Sequence, residues 1–553
     1  MPQIQTLPPD VIQIIAAGEV IDSLAAVVRE LAENALDAGA KRVAIALSPT
    51  AWRVEVADDG QGMDRENLRY CAQPHSTSKI HTAADLWKIT SLGFRGEALH
   101  SIAQLANLTI RSRPQGLGGG WQATYSHQGK VQNLEPVALA PGTVITVGDL
   151  FGNIPVRRQG LPPVAQQLKE IQTLIHHLAL CHPAIHWTVT VEENPWLNFL
   201  PRATVQGVIP QLLRRVQEQD LAYWSGDEAI ELLLGLPDRC HRRRCDWLKV
   251  AINGRVVRSP ALEQTLLASL SRTLPRDRYP LAFLHLHLPP EQIDWNRHPA
   301  KSEVYLHHLD QWRDRVAQGV DQALRLSPVE LQTTASNERI GTLLKTAEAQ
   351  GAYTLDRRIN PLTAQPLGPL NLRVVAQVNQ TYIVAEHDHG LWLIEQHIAH
   401  ERVLFEQLQT AWELVDLDPP ILLPGLGDRA IAQLQRLGIT VDAFGENLWA
   451  VRQIPAPLAG GDGCAIANRT DALLELSRGG DLETAQVATA CRSAIRNGTA
   501  LTLPEMQTLV DQWQQTRNPR TCPHGRPIYL PLEEANLARF FRRHWVIGKS
   551  HGL

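Results

Sequence analysis

Seven cysteines, at 71, 181, 240, 245, 464, 491 and 522, are too few and too irregularly spaced for a disulfide framework in a chain of 553 residues. Such usage points to a reducing compartment. No run approaches the roughly 20 apolar residues that a membrane helix needs, so no membrane partner is expected. The opening stretch MPQIQTLPPDVIQIIAAGEV has no basic residue ahead of its short apolar run, and Glu19 interrupts that run, which makes it a poor secretory signal. A cytoplasmic protein is expected. Internal repeats are absent too, which argues against a solenoid. Nor is positive charge in excess: 53 Lys and Arg stand against 57 Asp and Glu, a net charge of −4. That excludes a uniformly basic nucleic-acid binder but not a local basic face, because partners sense clustered charge and not the sum.

What remains is ordinary globular usage, 44% hydrophobic and 20% charged. The length is too great for one core and implies two to four domains. Residues 1–205 alternate helical and strand patterns: an amphipathic helix over 24–38 with Gly39 to stop it, then strands over 41–47 and 52–57, then two glycine-rich punctuations. This is a mixed α/β class. Residues 206–327 carry helical stretches around 205–219 and 260–274 and strands over 247–252 and 280–288, a second α/β unit. Apolar periodicity fades across 328–369, the expected linker. From 370 to 553 strands resume (VVAQV, TYIVAEH, LWLIEQ), followed by a helix over 400–408.

Four elements near the N-terminus point to a nucleotide. In Arg29-Glu30-Leu31-Ala32-Glu33-Asn34-Ala35-Leu36-Asp37, helical spacing puts Glu30, Asn34 and Asp37 on one face. A carboxylate there can polarise a water for attack on phosphate, and an amide oxygen one turn on can complete the octahedral shell of Mg²⁺. A solvated acidic face explains the same residues if they are taken alone. A strand then ends in Asp58-Asp59-Gly60-Gln61-Gly62-Met63, where Asp58 can accept from a purine amino group and the glycines let backbone approach the base. An ordinary Asp-Gly turn is the plainer reading. Thr77, Ser78 and Lys79 suit an anion. Gly93-Phe94-Arg95-Gly96-Glu97-Ala98-Leu99 opens a helix whose first amides would point at a phosphate. Each element is weak alone; the four in this order are not.

These segments resemble the ATP-site motifs of the GHKL superfamily, which includes gyrase-type topoisomerases, heat-shock chaperones, histidine kinases and MutL mismatch-repair proteins. The segments 29–40 and 92–99, with Ile15-Ala16-Ala17-Gly18-Glu19-Val20, resemble the MutL family in particular. The resemblance implies a GHKL (Bergerat-type) ATPase domain, a ribosomal-S5-like second domain and an α+β C-terminal dimerisation domain, in a multidomain α/β (α+β) protein that binds ATP and Mg²⁺. It implies Glu30 as general base, Asn34 as Mg²⁺ ligand, Asp58 as reader of adenine, 93–99 as the phosphate-covering segment and Gly142-Thr143 as the last motif beside the base. The loop Ile293-Asp294-Trp295-Asn296-Arg297-His298-Pro299-Ala300-Lys301 resembles the family's second-domain loop, whose lysine, here Lys301, reaches the γ-phosphate. Trp295 and Arg297 depart from that pattern, as do Ile154 and Val156 within the family-like segment 150–158. A homodimer is implied, working with DNA of any sequence, a mismatch-recognition protein of the MutS type and downstream repair factors. A topoisomerase would need a cleavage-tyrosine domain or a partner subunit, and a histidine kinase a phosphoacceptor helix upstream of Glu30.

Two further segments call for a function. Between 238 and 258 seven basic residues (239, 242, 243, 244, 249, 255, 258) face two aspartates, 7 − 2 = +5 in an acidic chain. Arg242, Arg243, Arg244, Arg255 and Arg258 are candidates for sequence-neutral DNA contacts, with a solvated basic loop as the equal alternative. Cys240, His241 and Cys245 lie too irregularly for a metal site. In the C-terminal part, Glu395, His397 and Glu401 stand at a strand-to-helix junction, with Cys491, Cys522 and His524 far downstream. These donors suit Zn²⁺ or Mn²⁺.

The set resembles the metal-dependent endonuclease site of MutL proteins, with Glu395 in place of Asp and Ile398 in place of Ala. An added methylene moves a ligating oxygen by more than about an ångström, enough to cost roughly 10²-fold in rate. Nicking and a purely structural metal are therefore the two readings carried forward. Phe540-Phe541-Arg542-Arg543 resembles the family's terminal F-x-R. Residues 419–424 lack the leading Gln of a sliding-clamp-binding segment, so clamp binding by that route is not expected.

Overall fold

The computed structural model describes residues 8–80, 82, 91–93, 96–116, 118–226, 229–294, 305–325, 371–388, 390–459, 469–534 and 537. Phe94, Arg95, Lys301, the linker 328–369 and residues 540–543 lie outside the described residues. The described residues contain no helix long and apolar enough to cross a membrane.

The first sheet has eight strands: Arg42–Ser48 (β1), Arg53–Asp58 (β2), Asn107–Arg113 (β3), Gly120–Tyr125 (β4), Val131–Val137 (β5), Gly142–Gly148 (β6), His186–Val191 (β7) and Asn194–Phe199 (β8). Their order is β5-β4-β3-β6-β2-β1-β7-β8, with β1 and β7 parallel. Alternation drives the layering. Val54 and Val56 of β2, and Val43, Ile45 and Leu47 of β1, point into one core with the helices Leu24–Asp37 and Val164–Cys181. Two segments distant in sequence meet beside it, where Arg157 donates to the carbonyl of Gly18 on the helix Pro9–Val20.

The second unit is built on Leu221–Gly226 (β9), Ile230–Gly235 (β10), Leu248–Ile252 (β12), Arg255–Val257 (β13) and Ala282–Leu286 (β15), in the order β13-β12-β15-β10-β9. Short pairs flank it, His241–Arg242 (β11) with Tyr279–Pro280 (β14) and Ile293–Asp294 (β16) with Tyr305–Leu306 (β17). One face of this sheet packs under the helices Pro260–Leu270 and Leu309–Leu324. From the other face Leu233, Ala251 and Phe283 join the core of the first unit, so the two units share one apolar interior.

The helix expected over 205–219 is broken into the short turns Val205–Gly207, Ile209–Leu212 and Glu218–Asp220. Pro210 lacks the amide that would bond back to residue 206, so it fits the first turn of Ile209–Leu212 but not the interior of a helix running on from 205. The stretch expected over 260–274 stops at Leu270.

The C-terminal part holds two cores where the sequence suggested one. Arg373–Val378 (β18), Tyr382–His387 (β19), Gly390–Glu395 (β20) and, much later, Tyr529–Glu533 (β24) form a four-stranded sheet. Trp392 stacks on Tyr529 there, ring centroids 4.3 Å apart, next to Trp513. Between them the chain builds a second lobe from Leu414–Pro424 (β21), Val441–Gly445 (β22), Leu448–Pro455 (β23) and the helices Asp428–Arg436, Arg469–Ser477 and Leu482–Ser493. The helix Gln396–Thr410 serves both lobes, with Ala399 and Val403 turned to the first and Leu404, Phe405 and Leu408 to the second.

Candidate functional site

The helix Leu24–Asp37 begins where Ser23 Oγ accepts from the Ala26 amide at 3.1 Å, and it ends against Gly39 at φ +73°. Its apolar stripe (Leu24, Val27, Val28, Leu31, Ala35) is buried in the first core. Glu30, Asn34 and Asp37 therefore emerge together on the wall of a cavity of about 900 Å³. The same cavity is lined by Asp58, Gly62, Met63, Thr77, Ser78, Lys79, Gly93, Gly96, Glu97, Ala98, Leu99 and Thr143. Gly60 does not line it; its amide donates to Asp58 Oδ1 at 2.9 Å. The sequence elements converge as the spacing suggested, apart from those outside the described residues.

At one end of the cavity, β2 delivers Asp58 opposite Thr143 of β6. Thr143 Oγ1 lies 2.8 Å from Ser112 Oγ, which in turn accepts from the Met63 amide at 2.7 Å. The turn after β2 is closed by backbone contact: Gly62, at φ +70°, would place a Cβ 2.1 Å from the carbonyl oxygen of Arg113, so no side chain fits. Burial pushes the Asp58 carboxyl up to about 6, with the amides of Gly60 and Thr143 pulling against it and the neighbouring Asp59 adding to it.

At the other end, Asp37 is a hub that the motif reading left without a role. Its Oδ1 accepts from the Leu92 amide at 2.8 Å, and its Oδ2 accepts from the Gly93 amide at 2.9 Å and from Lys79 Nζ at 2.5 Å. Lys79 Nζ also stands 3.4 Å from Asn34 Oδ1. An ammonium thus sits between the Asn34 amide oxygen and the Asp37 carboxylate. Gly96, at φ +65°, packs on the backbone of Ser76 and leads into the helix Ala98–Leu105, whose first residues face the cavity. Asp37 was visible one turn beyond Asn34, but nothing in its spacing said that it would bind the start of the 92–99 segment.

The basic stretch divides. Arg239 pairs with Asp238, and Arg242 with Asp246 across one turn. Arg243, Arg244 and Arg258 are exposed. Arg255 is a correction. Its guanidinium turns inward to a two-pronged ion pair with Glu33 and lines the cavity, so its charge is committed within the chain and is not offered to DNA. Cys240 is buried, and among the described residues it forms no metal-binding group with His241 and Cys245.

The C-terminal donors come together from three places. His397 and Glu401 lie one turn apart on the helix Gln396–Thr410, Cys491 lies on the helix Leu482–Ser493, and Cys522 and His524 lie on the loop before β24. Their ligating atoms form two overlapping groups, His397–Glu401–Cys491 and Glu401–Cys522–His524, each within 4.8 Å. His397 Nδ1–H donates to the Ile495 carbonyl at 2.9 Å, which fixes the tautomer and leaves Nε2 free to ligate. The Glu401 side chain is fully buried. Its Oε1 sits 2.6 Å from His524 Nδ1, yet neither atom has a partner in good hydrogen-bonding geometry, the signature of two donors arranged around an ion.

Burial pushes the Glu401 carboxyl up, but His524, with Arg526 and His397, outweighs it and holds the group below its usual range. Contact with Cys522 and Glu401 pushes His524 up to about 9, and burial beside Glu401 pushes the Cys491 thiol up to about 11. An incoming dication would therefore displace protons from both. Glu395 stands apart. Its Oε2 caps the helix at the Ile398 amide, 2.5 Å away, and its Oε1 accepts from Asn497 at 2.6 Å, so the expected ligand acts here as an N-cap.

Comparison with known proteins agrees with this layout. Residues 22–140 match the family model described as histidine kinase-, DNA gyrase B- and HSP90-like ATPase. Residues 212–325 match the C-terminal domain of DNA mismatch repair protein, and residues 375–424 match the MutL C terminal dimerisation domain. The chain is 58% identical to the DNA mismatch repair protein MutL of Rippkaea orientalis, over 100% of this chain and 99% of that one. It is 33% identical to the MutL of Methanoculleus marisnigri, over 98% and 100%. Among solved structures, the Aquifex aeolicus MutL ATPase domain complexed with ADP covers 54% of the chain, and 98% of its own length, at 23% identity and a TM-score of 0.38.

Proposed function

Because this chain belongs to the MutL family of DNA mismatch-repair proteins, we propose that it acts as a homodimeric, ATP-gated matchmaker coupling mismatch recognition to strand incision and excision. The chain is an ATPase and carries the family's dimerisation domain. The observation that supports the rest is the single cavity into which Glu30, Asn34, Asp58, Lys79 and the 96–99 amides all project.

In this reading Asp58 accepts from the adenine amino group, and Thr77, Ser78, Lys79 and the amides of 96–99 take the phosphates; the family resemblance assigns the γ-phosphate to Lys301, outside the described residues. Glu30 removes a proton from the attacking water. Asn34 would hold Mg²⁺, which when bound neutralises phosphate charge. Arg243, Arg244 and Arg258 supply a salt-sensitive, sequence-neutral contact to DNA. Upstream stands a mismatch-recognition protein of the MutS type, downstream the excision machinery.

At the C-terminal end the donor set fits Zn²⁺ or Mn²⁺, held by His397, Glu401, Cys491, Cys522 and His524. Such an ion supplies Lewis acidity toward a phosphodiester when bound. The capping role of Glu395 favours a second reading, in which that ion serves structure alone.

The test of the nucleotide reading is Asn34→Ala. Removing the amide is expected to weaken Mg·ATP binding while leaving metal-free nucleotide binding little changed, as measured by fluorescent-nucleotide titration with and without Mg²⁺. Equal affinities for wild type and variant in Mg²⁺ would remove Asn34 from the metal site.

The position of Asp58 adds a pH dependence. Free, its carboxyl titrates at about 6; accepting from adenine favours the ionised form and lowers that value in the complex. Affinity is therefore full above about pH 6 and falls as pH drops below it, roughly tenfold by pH 5. Calorimetric titration at pH 5 and pH 8 should show this fall, and Asp58→Asn should flatten it. A flat wild-type profile would show that this carboxylate does not meet the base.

A further inference from the structure

Among the described residues of the second unit, Arg255 lines the nucleotide cavity, and its support is elaborate. β12 and β13 are joined by an Asn253-Gly254 turn with both residues at positive φ, +45° and +82°. Asn253 is pinned on both sides of its amide: Nδ2 donates to the Leu288 carbonyl at 2.8 Å, and Oδ1 accepts from the Leu288 amide at 2.7 Å. Gly254 is held by two imidazoles. Its amide donates to Nε2 of His285, on the second sheet, at 2.9 Å. Its carbonyl accepts from Nε2 of His182, at the end of the first unit's Val164–Cys181 helix, at 3.0 Å. A Cβ at Gly254 would meet the His182 ring at 2.8 Å, so the socket admits glycine alone.

The socket aims Arg255. Its Nε and Nη2 bind the two oxygens of Glu33, and Nη2 also donates to the Leu92 carbonyl at 3.2 Å. The ion pair is nearly dry, with 12% and 5% of the two side chains exposed. Glu33 lies three residues after Glu30 and immediately before Asn34. Leu92 immediately precedes Gly93, and both of their amides rest on Asp37. One guanidinium from the second unit therefore ties the helix carrying the general base to the root of the phosphate-facing segment.

We propose that Arg255 is a positioning residue for ATP hydrolysis, acting through Glu33 and the Leu92 carbonyl to set the Glu30 helix and the Leu92-Gly93 backbone in register with each other. This rests on the assignment of Glu30 and the cavity to ATP turnover. A guanidinium suits the place because its planar fork grips both oxygens of the carboxylate while Nη2 still reaches the Leu92 carbonyl, and an ammonium, a point charge, lacks that two-pronged geometry. The effect belongs to kcat: the Arg255 guanidinium is committed to Glu33 and the Leu92 carbonyl and acts through them on the helix that carries Glu30, where a displacement of about 1 Å costs roughly 10²-fold in rate.

The experiment uses the full chain and steady-state ATPase kinetics, with melting curves for each variant. Arg255→Ala is expected to lower kcat about 100-fold with KM within about threefold of wild type, and Arg255→Lys to fall between the two. Glu33→Gln should reproduce most of the loss, and the double variant Arg255→Ala/Glu33→Gln should be no slower than the slower single one. Should Arg255→Ala melt below the assay temperature, Arg255→Lys and Glu33→Gln carry the test, because both keep the cavity filled. An unchanged kcat in those variants, a rise in KM at constant kcat, or multiplicative losses in the double variant would each overturn the proposal. A wild type without turnover would instead refute the assignment of the cavity itself.

Discussion

Glu30→Ala is expected to stop ATP turnover while leaving ATP bound, with kcat falling about 10²- to 10⁴-fold, the range for removing a positioned general base. The geometry supports this separation. Glu30 faces the cavity with 22% of its side chain accessible, close enough to water to activate it, and 3.4 Å from the Arg29 guanidinium. The phosphate-facing groups and Asp58 come from other elements, so binding survives its removal. Phosphate release and equilibrium nucleotide binding, measured on the same preparation, check the two halves. Loss of binding in step with loss of turnover would make Glu30 a ligand and not a base, and full turnover would remove it from the chemistry.

The second large effect lies at the other end of the chain. Glu401 is common to both donor groups, so Glu401→Ala removes the one ligand on which the candidate metal centre turns. Even a partner behind a ligand is worth roughly 10- to 100-fold in metal affinity, and loss of the shared carboxylate is expected to exceed 100-fold. It also leaves Arg526 and a protonated His524 facing each other over a void where an anion stood, which adds a structural penalty. Elemental analysis after dialysis, with Co²⁺ absorption as a spectroscopic check, reads the metal. A supercoiled-plasmid assay in Mn²⁺ reads the chemistry. On the nicking reading, wild type nicks and Glu401→Ala does not. A silent wild type alongside an active Glu395→Asp would assign the ion to structure, and undiminished metal uptake by Glu401→Ala would dissolve the centre altogether.

Much of this site could be read from the chain before any fold was known, for a physical reason. Where a function needs short-range spacing, the spacing is written in sequence: Glu30, Asn34 and Asp37 share a helix face, and Asp58 ends a strand before two glycines. The 24–37 helix and the strands that flank it follow from periodicity alone. Long-range pairing leaves no such trace. Arg255 counted as one more charge in a basic run until the β12–β13 turn carried it to Glu33, 222 positions away. Glu395 matched a ligand position, yet its carboxylate is spent on the amide three residues on, a local competition that a motif does not show. The second C-terminal core was hidden because one helix serves both lobes, and an apolar stripe does not say how many partners it has.

The shared interior of the two N-terminal units has a consequence for what counts as a module. Cleaving the chain near residue 205 would take Leu233, Ala251 and Phe283 out of the first unit's core and strip Glu33 of its counter-ion, stranding a carboxylate where water barely reaches. The nucleotide pocket is in this sense a joint possession. Neither neighbour can drift from the other without disturbing the helix that carries Glu30; on the roles proposed above, relative motion of the two would throttle hydrolysis.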